Sequence, residues 1–318
     1  MSEHSTEQGQ RHSGIEGDLQ VKPAATVLIA GGTGLIGQRL KQLLEKKGHT
    51  VLVLTRRPKA SQEVYWDPSQ KQIDLEKLTT VQCIINLCGE NIGATRWTAT
   101  RKATLIKSRV EPAQFLASML DKLPALNYYI GASGVNCYAA EQGVVYHESA
   151  PYGQDFLATV VQEWEKAHQE ILKHVRGSVL RIAMVLSAHG GALEAMKRSI
   201  ELGFGSAIGS GQQMSPWIQI DDLCELMVFA LEQQLEGTFN ALAANNSNLE
   251  LTQHIAQLLR KPLWAPKVPA FALKLLLGER AFLVLTDPKA SNQKLLQTGF
   301  SFKYPDLKQA LKPLLTKS

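Results

Sequence analysis

The stretch Thr26-Val-Leu-Ile-Ala-Gly-Gly-Thr-Gly-Leu-Ile-Gly37 decides the fold. Residues 26–30 form a short continuous apolar run, the mark of a strand buried on both faces. Residues 35–47 carry apolar side chains at helical spacing up to Gly48. The glycines between them therefore lie in a strand-to-helix turn. There Gly31 permits the tight turn, Gly34 lets the backbone approach a pyrophosphate, and Gly37 lets the helix lie close to the sheet. The unpaired N–H groups and positive dipole end of the helix then face an anion. A Walker A loop is excluded, because Gln38 and Arg39 stand where Lys and Ser or Thr are required. A purely structural glycine turn is the alternative, and the flanking strand and helix weigh against it.

Outward from that turn the pattern repeats. Residues 50–55 (TVLVLT), 81–88 (VQCIINLC), 127–133 (NYYIGAS) and 178–186 read as further strands, with long helical patterns over 96–120 and 156–174. Strands alternating with helices predict an α/β fold, a doubly wound parallel sheet covered on both faces. Past Leu186 glycines mark loops, and a helix begins near Asp221. Residues 261–269 (KPLWAPKVP) hold three prolines and read as a boundary. Beyond it, 271–277, 287–297 and 307–315 have apolar residues at helical spacing, a small and mostly helical carboxyl-terminal unit. The expected division is a polar, flexible tail at 1–22, a nucleotide-binding domain at 23–260 and the helical unit at 261–318.

Composition narrows the partners. The 318 residues are 44% hydrophobic, enough for a large core, and 34 Lys and Arg against 29 Asp and Glu give a net charge of only +5. No run of like charges marks a nucleic-acid surface, and no apolar run is long enough to span a bilayer. A small molecule is the expected partner, with neither nucleic acid nor membrane. The four cysteines, Cys83, Cys88, Cys137 and Cys224, follow no disulfide or metal spacing, and no secretory signal opens the chain, so a reducing cytoplasm is expected. His4 and His12 read as solvated side chains rather than metal ligands.

Where an NAD-binding fold places an Asp or Glu on the ribose hydroxyls, the second strand ends Thr55-Arg56-Arg57. Guanidinium groups hold a 2′-phosphate that a carboxylate would repel, so NADP(H) is expected over NAD. Two solvated arginines in a turn are the alternative.

The chain also resembles a known family. Gly31-Gly-Thr-Gly-Leu-Ile-Gly37, Tyr65-Trp-Asp-Pro68, Asn86-Leu-Cys-Gly-Glu-Asn-Ile92, Arg96-Trp-Thr98 with Lys102 and Ser108-Arg109, and Asp155-Phe-Leu157 with Trp164-Glu165 are similar to the epimerase family of atypical extended short-chain dehydrogenases/reductases. Val268-Pro-Ala-Phe-Ala-Leu-Lys274, Gly278-Glu279 and Gly299-Phe-Ser-Phe302 resemble that family's carboxyl-terminal domain of unknown function. The resemblance runs from about Thr26 to the end and implies a Rossmann fold. It places Gly31, Thr33, Gly34, Leu35, Ile36 and Arg56 at cofactor-loop positions and Leu87, Cys88 and Gly89 along the cofactor. It implies an NADP-dependent oxidoreductase or nucleotide-sugar epimerase, though some relatives carry a division-regulator label. Superfamily dimers pair two long helices, which makes a homodimer through 96–120 and 156–174 a candidate assembly.

The superfamily's Tyr-x-x-x-Lys pair is missing. Phe156 and Val160 stand in its neighbourhood and cannot move a proton, while Tyr304 to Lys308, the matching string, lies in the carboxyl-terminal unit, where Tyr304 is expected to begin a helix. Ser133 occupies the strand-end position that polarises a carbonyl, and Tyr138 follows in a loop where the family usually has Gly-Tyr-Tyr-Gly, so Ser133 and Tyr138 are the catalytic candidates. Glu90, Asn91, Arg96, Trp97 and Lys102 bring charge and an aromatic to the carboxyl edge of the sheet. Glu90, Arg96, Lys102, Arg109 and Trp217 are the substrate candidates, with Arg96 expected to begin the long helix. Asp221 is a candidate helix cap. Cys88 reads as a small buried hydrophobe rather than a nucleophile. Two functions fit: an NADP-dependent oxidoreductase or epimerase of a small polar substrate, or an NADP-binding regulator without turnover.

Overall fold

The computed structural model describes residues 24–141, 143–286 and 288–316, so the tail expected at 1–22 lies outside the described residues. The first half follows the alternation read from the sequence: β1 (Thr26–Ala30), α1 (Leu35–Lys46), β2 (Thr50–Thr55), β3 (Glu63–Asp67), β4 (Gln72–Ile73), β5 (Cys83–Asn86), α2 (Ala99–Ala117), β6 (Tyr128–Gly134), β7 (Val145–Tyr146), α3 (Phe156–Leu172) and β8 (Arg176–Ile182). Then come β9 (Met184–Leu186), α4 (Gly191–Glu201), β10 (Met214–Gln219), α5 (Ile220–Gln233), β11 (Gly237–Ala241), β12 (Ala244–Ser247) and α6 (Asn248–Leu258). The carboxyl-terminal part holds α7 (Ala270–Leu277), α8 (Phe282–Leu285), β13 (Lys289–Ala290), α9 (Gln293–Leu296) and α10 (Leu307–Leu315).

An eight-stranded sheet in the order β11-β8-β6-β5-β1-β2-β3-β4 forms the centre, parallel except for the β3–β4 pair. Alternate residues of each strand enter opposite cores. Val27, Ile29, Val51 and Ile85 meet α1 and α5 on one face. Leu28, Leu52 and Ile84 meet Phe115 and Leu116 of α2 and Ile171 of α3 on the other. Cys83 and Cys88 fall on opposite faces in the same way. The chain leaves β1 for β2 on one side and returns to β5 on the other, so a cleft opens at the carboxyl ends of β1 and β5, where ligands bind in such folds.

Several local expectations change. The long helix starts at Ala99, because Thr98 caps it by accepting from the Arg101 N–H, so Arg96 precedes the helix instead of beginning it. The run 178–186 is two strands in different sheets: Ala183 breaks away by donating to Ala241 O, and β9 joins a three-stranded sheet with β10 and β12. The cap of α5 is Gln219, whose side chain accepts from the Asp221 N–H, in place of Asp221 itself. Asp306 caps the last helix, so Tyr304 lies before it. Residues 289–296 hold a short strand and one helical turn where a helix over 287–297 was expected, since β13 pairs with β7.

The carboxyl-terminal part is small and mostly helical, yet it has no core to itself. Leu295 and Phe300 enter the α1–α5 core, and Leu307, Ala310 and Leu311 of α10 pack with Leu251 and Ile255 of α6 and with Trp217. Asp222 on α5 accepts from the backbone N–H groups of Lys303 (2.8 Å) and Tyr304 (2.9 Å), which fastens the connecting turn. No helix among the described residues is long and apolar enough to cross a membrane.

Candidate functional site

The cofactor edge is built on backbone. Gly31 has φ +80°, in the region that favours glycine, and a Cβ there would lie 2.8 Å from the Leu87 carbonyl. A Cβ on Gly37 would lie 2.5 Å from Gly32 Cα, so the helix rests directly on the turn. Leu87 is drawn in by its N–H, which donates to Ala30 O (2.8 Å). Gly34 caps α1 without a side chain, leaving the first-turn N–H groups to point into the cleft. Thr33 and Gly34 are exposed, Leu35 and Ile36 half-buried. The structure thus gathers the turn from Gly31 to Ile36 with Leu87, Cys88 and Gly89 at one edge. Cys88 packs against the core under the sheet, and burial pushes its thiol up to about 12, too high for a thiolate nucleophile.

Arg56 and Arg57 leave the end of β2 exposed, and neither guanidinium forms an ion pair among the described residues. Asp67 is the carboxylate that senses Arg56. Its hydrogen bonds from Ser69 hold its pKa below the ordinary range, with desolvation opposing and the Arg56 charge adding a smaller part.

The two catalytic candidates sit in a different setting. Ser133, on β6, donates to Glu165 Oε1 (2.5 Å), and Arg181, on β8, grips both oxygens of Glu165 at 2.9 Å. Arg181 also donates to the Tyr138 hydroxyl (2.8 Å) and to Glu148 O (3.0 Å), and the Tyr138 hydroxyl donates to Asn240 Oδ1 (2.6 Å). Tyr152 donates to Glu165 Oε2 (2.6 Å). Burial pushes the Glu165 carboxyl up, but the hydrogen bonds and charge of Arg181 outweigh it, so the group stays ionised below its ordinary pKa. Burial pushes both Tyr138 and Tyr152 upward, Tyr152 to about 12. Ser133 and Tyr138 are buried with their hydroxyls committed inside the protein, which corrects the reading of both as groups facing substrate. No side-chain polar atom of this cluster lacks a partner.

Glu165 and Arg181, the centre of the cluster, were not singled out as functional in the sequence. A signal existed: Glu165 lies in the buried stripe of α3 with Val161, Trp164 and His168, and Arg181 stands between Leu180 and Ile182 in the buried stretch of β8.

The substrate candidates divide. Arg109 is buried and supports the cofactor-edge loop from below: it donates to Leu105 O (2.9 Å) and Glu90 O (3.0 Å), lies against Gly89, and stacks over Trp164. Burial lowers its pKa to about 10. Trp217 is fully buried, donates to Asn246 Oδ1 (2.7 Å) and packs under α10. Glu90 and Arg96 are exposed on the loop before α2, and Lys102 is half-buried in its first turn. Glu90 pairs with Arg101, Lys102 pairs with Glu279, and Arg96 reaches Leu275 O (3.5 Å). Arg280 joins them from the carboxyl-terminal part, donating to Gly93 O (2.9 Å). The Nε groups of Arg101 and Arg280 are buried without a partner. Leu283 of α8 closes against Trp97, Leu105 and Leu157, so the carboxyl-terminal part forms one wall of the cleft.

Comparison with known proteins agrees with this architecture. Residues 27–241 match the model of the NAD dependent epimerase/dehydratase family, and residues 268–314 match a domain of unknown function, DUF1731. The chain is 34% identical over 308 residues to the epimerase family protein SDR39U1 homolog, chloroplastic, of Arabidopsis thaliana, covering 93% of this chain and 88% of that protein. It is 34% identical over 296 residues to the epimerase family protein SDR39U1 of Homo sapiens, covering 91% and 99%. The crystal structure of that human protein (isoform 2) with NADPH superposes with a TM-score of 0.83 at 31% identity, over 91% of this chain and 99% of that one.

Proposed function

The chain belongs to the NAD dependent epimerase/dehydratase family, and from that premise we propose that it is an NADP(H)-dependent oxidoreductase or epimerase of a small, anionic polar substrate, nucleotide-linked compounds among them. One observation carries the reading: a glycine cradle with free first-turn N–H groups lies at the end of β1, and Arg56 and Arg57 at the end of the neighbouring β2 have no ion-pair partner among the described residues. The residues fit the cofactor. Gly31 and Gly34 leave the room that side chains would fill, the α1 terminus holds the pyrophosphate, the two arginines hold the 2′-phosphate, and Leu87 to Gly89 line the inner wall. When bound, the nicotinamide supplies or accepts the hydride. Arg96, Arg101, Lys102 and Arg280 hold the anionic part of the substrate, where two guanidinium Nε groups lack partners. The four unpaired cysteines suit a reducing cytoplasm. A division at 23–260 and 261–318, and pairing of two copies through α2 and α3, belong to the same proposal.

A second reading, an NADP(H)-binding regulator without turnover, is favoured by the closed cluster around Ser133 and by the apolar Phe156 and Val160. Titration of NADPH and NADH by fluorescence, followed by exposure of the NADPH complex to cell metabolite pools, tests both. The first reading expects NADPH to bind about tenfold or more tightly than NADH and to be consumed by some fraction of the pool. Equal affinities would break the cofactor assignment. Tight NADPH binding with no NADPH consumption across sugars, nucleotide sugars, ketones and quinones, and no epimerised sugar or nucleotide sugar formed by the NADP+ complex, would leave the regulator.

A further inference from the structure

The carboxyl-terminal part and the end of α4 carry exposed apolar side chains that no other described residue covers. Leu202, Phe204, Trp264, Phe271, Leu275 and Leu276 are between 63% (Leu202) and 81% (Leu275) exposed. The segments that carry them adjoin. A Cβ on Gly203 would lie 3.8 Å from the Trp264 ring, and the bridge between Ile208 and Val268 ties the loop after α4 to the start of α7. Leu273 turns inward and anchors α7, while Phe271 and Leu275, one turn apart, point out. Large exposed apolar side chains gathered on adjoining segments mark an interaction surface.

Its charge identifies the partner. From Leu251 to Gly278 there is no Asp or Glu, whereas Arg260, Lys261, Lys267 and Lys274 all fall in that stretch. The three lysines are exposed and none pairs with a carboxylate among the described residues; Lys267 donates to Ser210 O. Acids flanking the patch are engaged elsewhere, Glu201 facing Lys197 and Glu279 held by Lys102. We propose that this face docks on an anionic phospholipid surface. Exposed Trp, Phe and Leu set among unpaired lysines match what an anionic interface binds: rings and aliphatic chains enter the headgroup boundary while the ammonium groups stay at the phosphates. With eight residues, α7 extends roughly 12 Å, well short of a bilayer core, so it lies in the plane of the surface. A second copy is a poorer occupant, because it would set these lysines against their own counterparts with no acid to meet them. The same segment contacts the cleft rim through Arg96, Lys102 and Arg280, so docking brings the mouth of the candidate site to the lipid.

Flotation of the full chain with phosphatidylcholine vesicles, with and without phosphatidylserine, tests the proposal. The protein should float with the anionic vesicles, less so at high salt, and its tryptophan emission should shift to the blue. That shift reports Trp264, which is 71% exposed, because Trp66, Trp97, Trp164 and Trp217 are 8% exposed or less. Combining Lys261→Glu, Lys267→Glu and Lys274→Glu should lower the bound fraction about tenfold or more, and Phe271→Ser with Leu275→Ser should do the same with an unchanged melting temperature. No flotation with anionic vesicles, or flotation indifferent to phosphatidylserine and to the charge reversals, would overturn the proposal. So would self-association that Phe271→Ser with Leu275→Ser abolishes, which assigns the face to a second copy, or capture of an acidic protein without vesicle binding.

Discussion

Two polar regions share the carboxyl edge of one sheet and are built in opposite ways. At the β1–α1 turn and the neighbouring end of β2, first-turn N–H groups and the exposed Arg56 and Arg57 side chains meet no acceptor among the described residues. Around Glu165, the donors of Ser133, Tyr138, Tyr152 and Arg181 all meet acceptors inside the protein. Unsatisfied donors at a surface are available to a ligand, whereas donors satisfied in the interior hold the fold together. A serine at the right strand end therefore marks ancestry, and its hydrogen-bond partner decides whether it is free to act.

The sharpest way to break the contrast is Glu165→Ala. It leaves the Arg181 guanidinium buried and unpaired, and should cost about 3–5 kcal/mol of stability in urea unfolding while NADPH affinity in the folded protein holds. A loss under about 1 kcal/mol would mean that the cluster is open to water. The next effect is acid sensitivity. His168 is fully buried beside the cluster; its Nε2 faces Ala132 O (2.9 Å) and so carries the proton, leaving Nδ1 to accept from the Tyr129 hydroxyl (2.7 Å). Burial lowers its pKa to about 4. The unfolded chain therefore binds a proton that the folded chain refuses between pH about 6.5 and about 4, and stability falls as the pH drops through that window, by about 3 kcal/mol. His168→Gln should flatten that part of the pH profile; an unchanged profile would contradict the neutral, buried imidazole.

On the open side, Arg56→Asp should weaken NADPH about 10- to 100-fold and leave NADH nearly unchanged, read by fluorescence titration. Loss of both equally would place Arg56 away from the 2′-phosphate. The smallest effect is expected from Tyr138→Phe. It removes one hydroxyl from a closed cluster, so stability should fall by about 1 kcal/mol with no change in NADPH affinity, nor in turnover on any substrate found. A large loss of turnover at unchanged stability would return Tyr138 to the chemistry.

The legible parts of the site are those that local chain geometry dictates. Gly31, Gly34 and Gly37 sit within seven residues of one another, and Arg56 follows one helix and one strand later, so spacing alone brings them to one edge. Arg109 and Trp217 read as candidates in the sequence for a common reason: charge and aromaticity advertise ligand contact, while packing is the stronger expectation for Trp217. In the fold Arg109 supports a loop through backbone carbonyls and Trp217 fills the space under α10. The pairing of β13 with β7, and the hold of Asp222 on the Lys303 and Tyr304 N–H groups, join residues more than 80 positions apart, beyond the reach of periodicity.

The sequence by itself determined the alternation of strands and helices, the glycine turn and the basic end of β2, because each is a property of neighbouring residues. Only the tertiary structure decided which polar groups are free. Whether Ser133 faces a substrate or a carboxylate depends on Glu165, 32 residues on, and on Arg181 from another strand, and burial exposes or closes a side chain only once distant elements have packed around it.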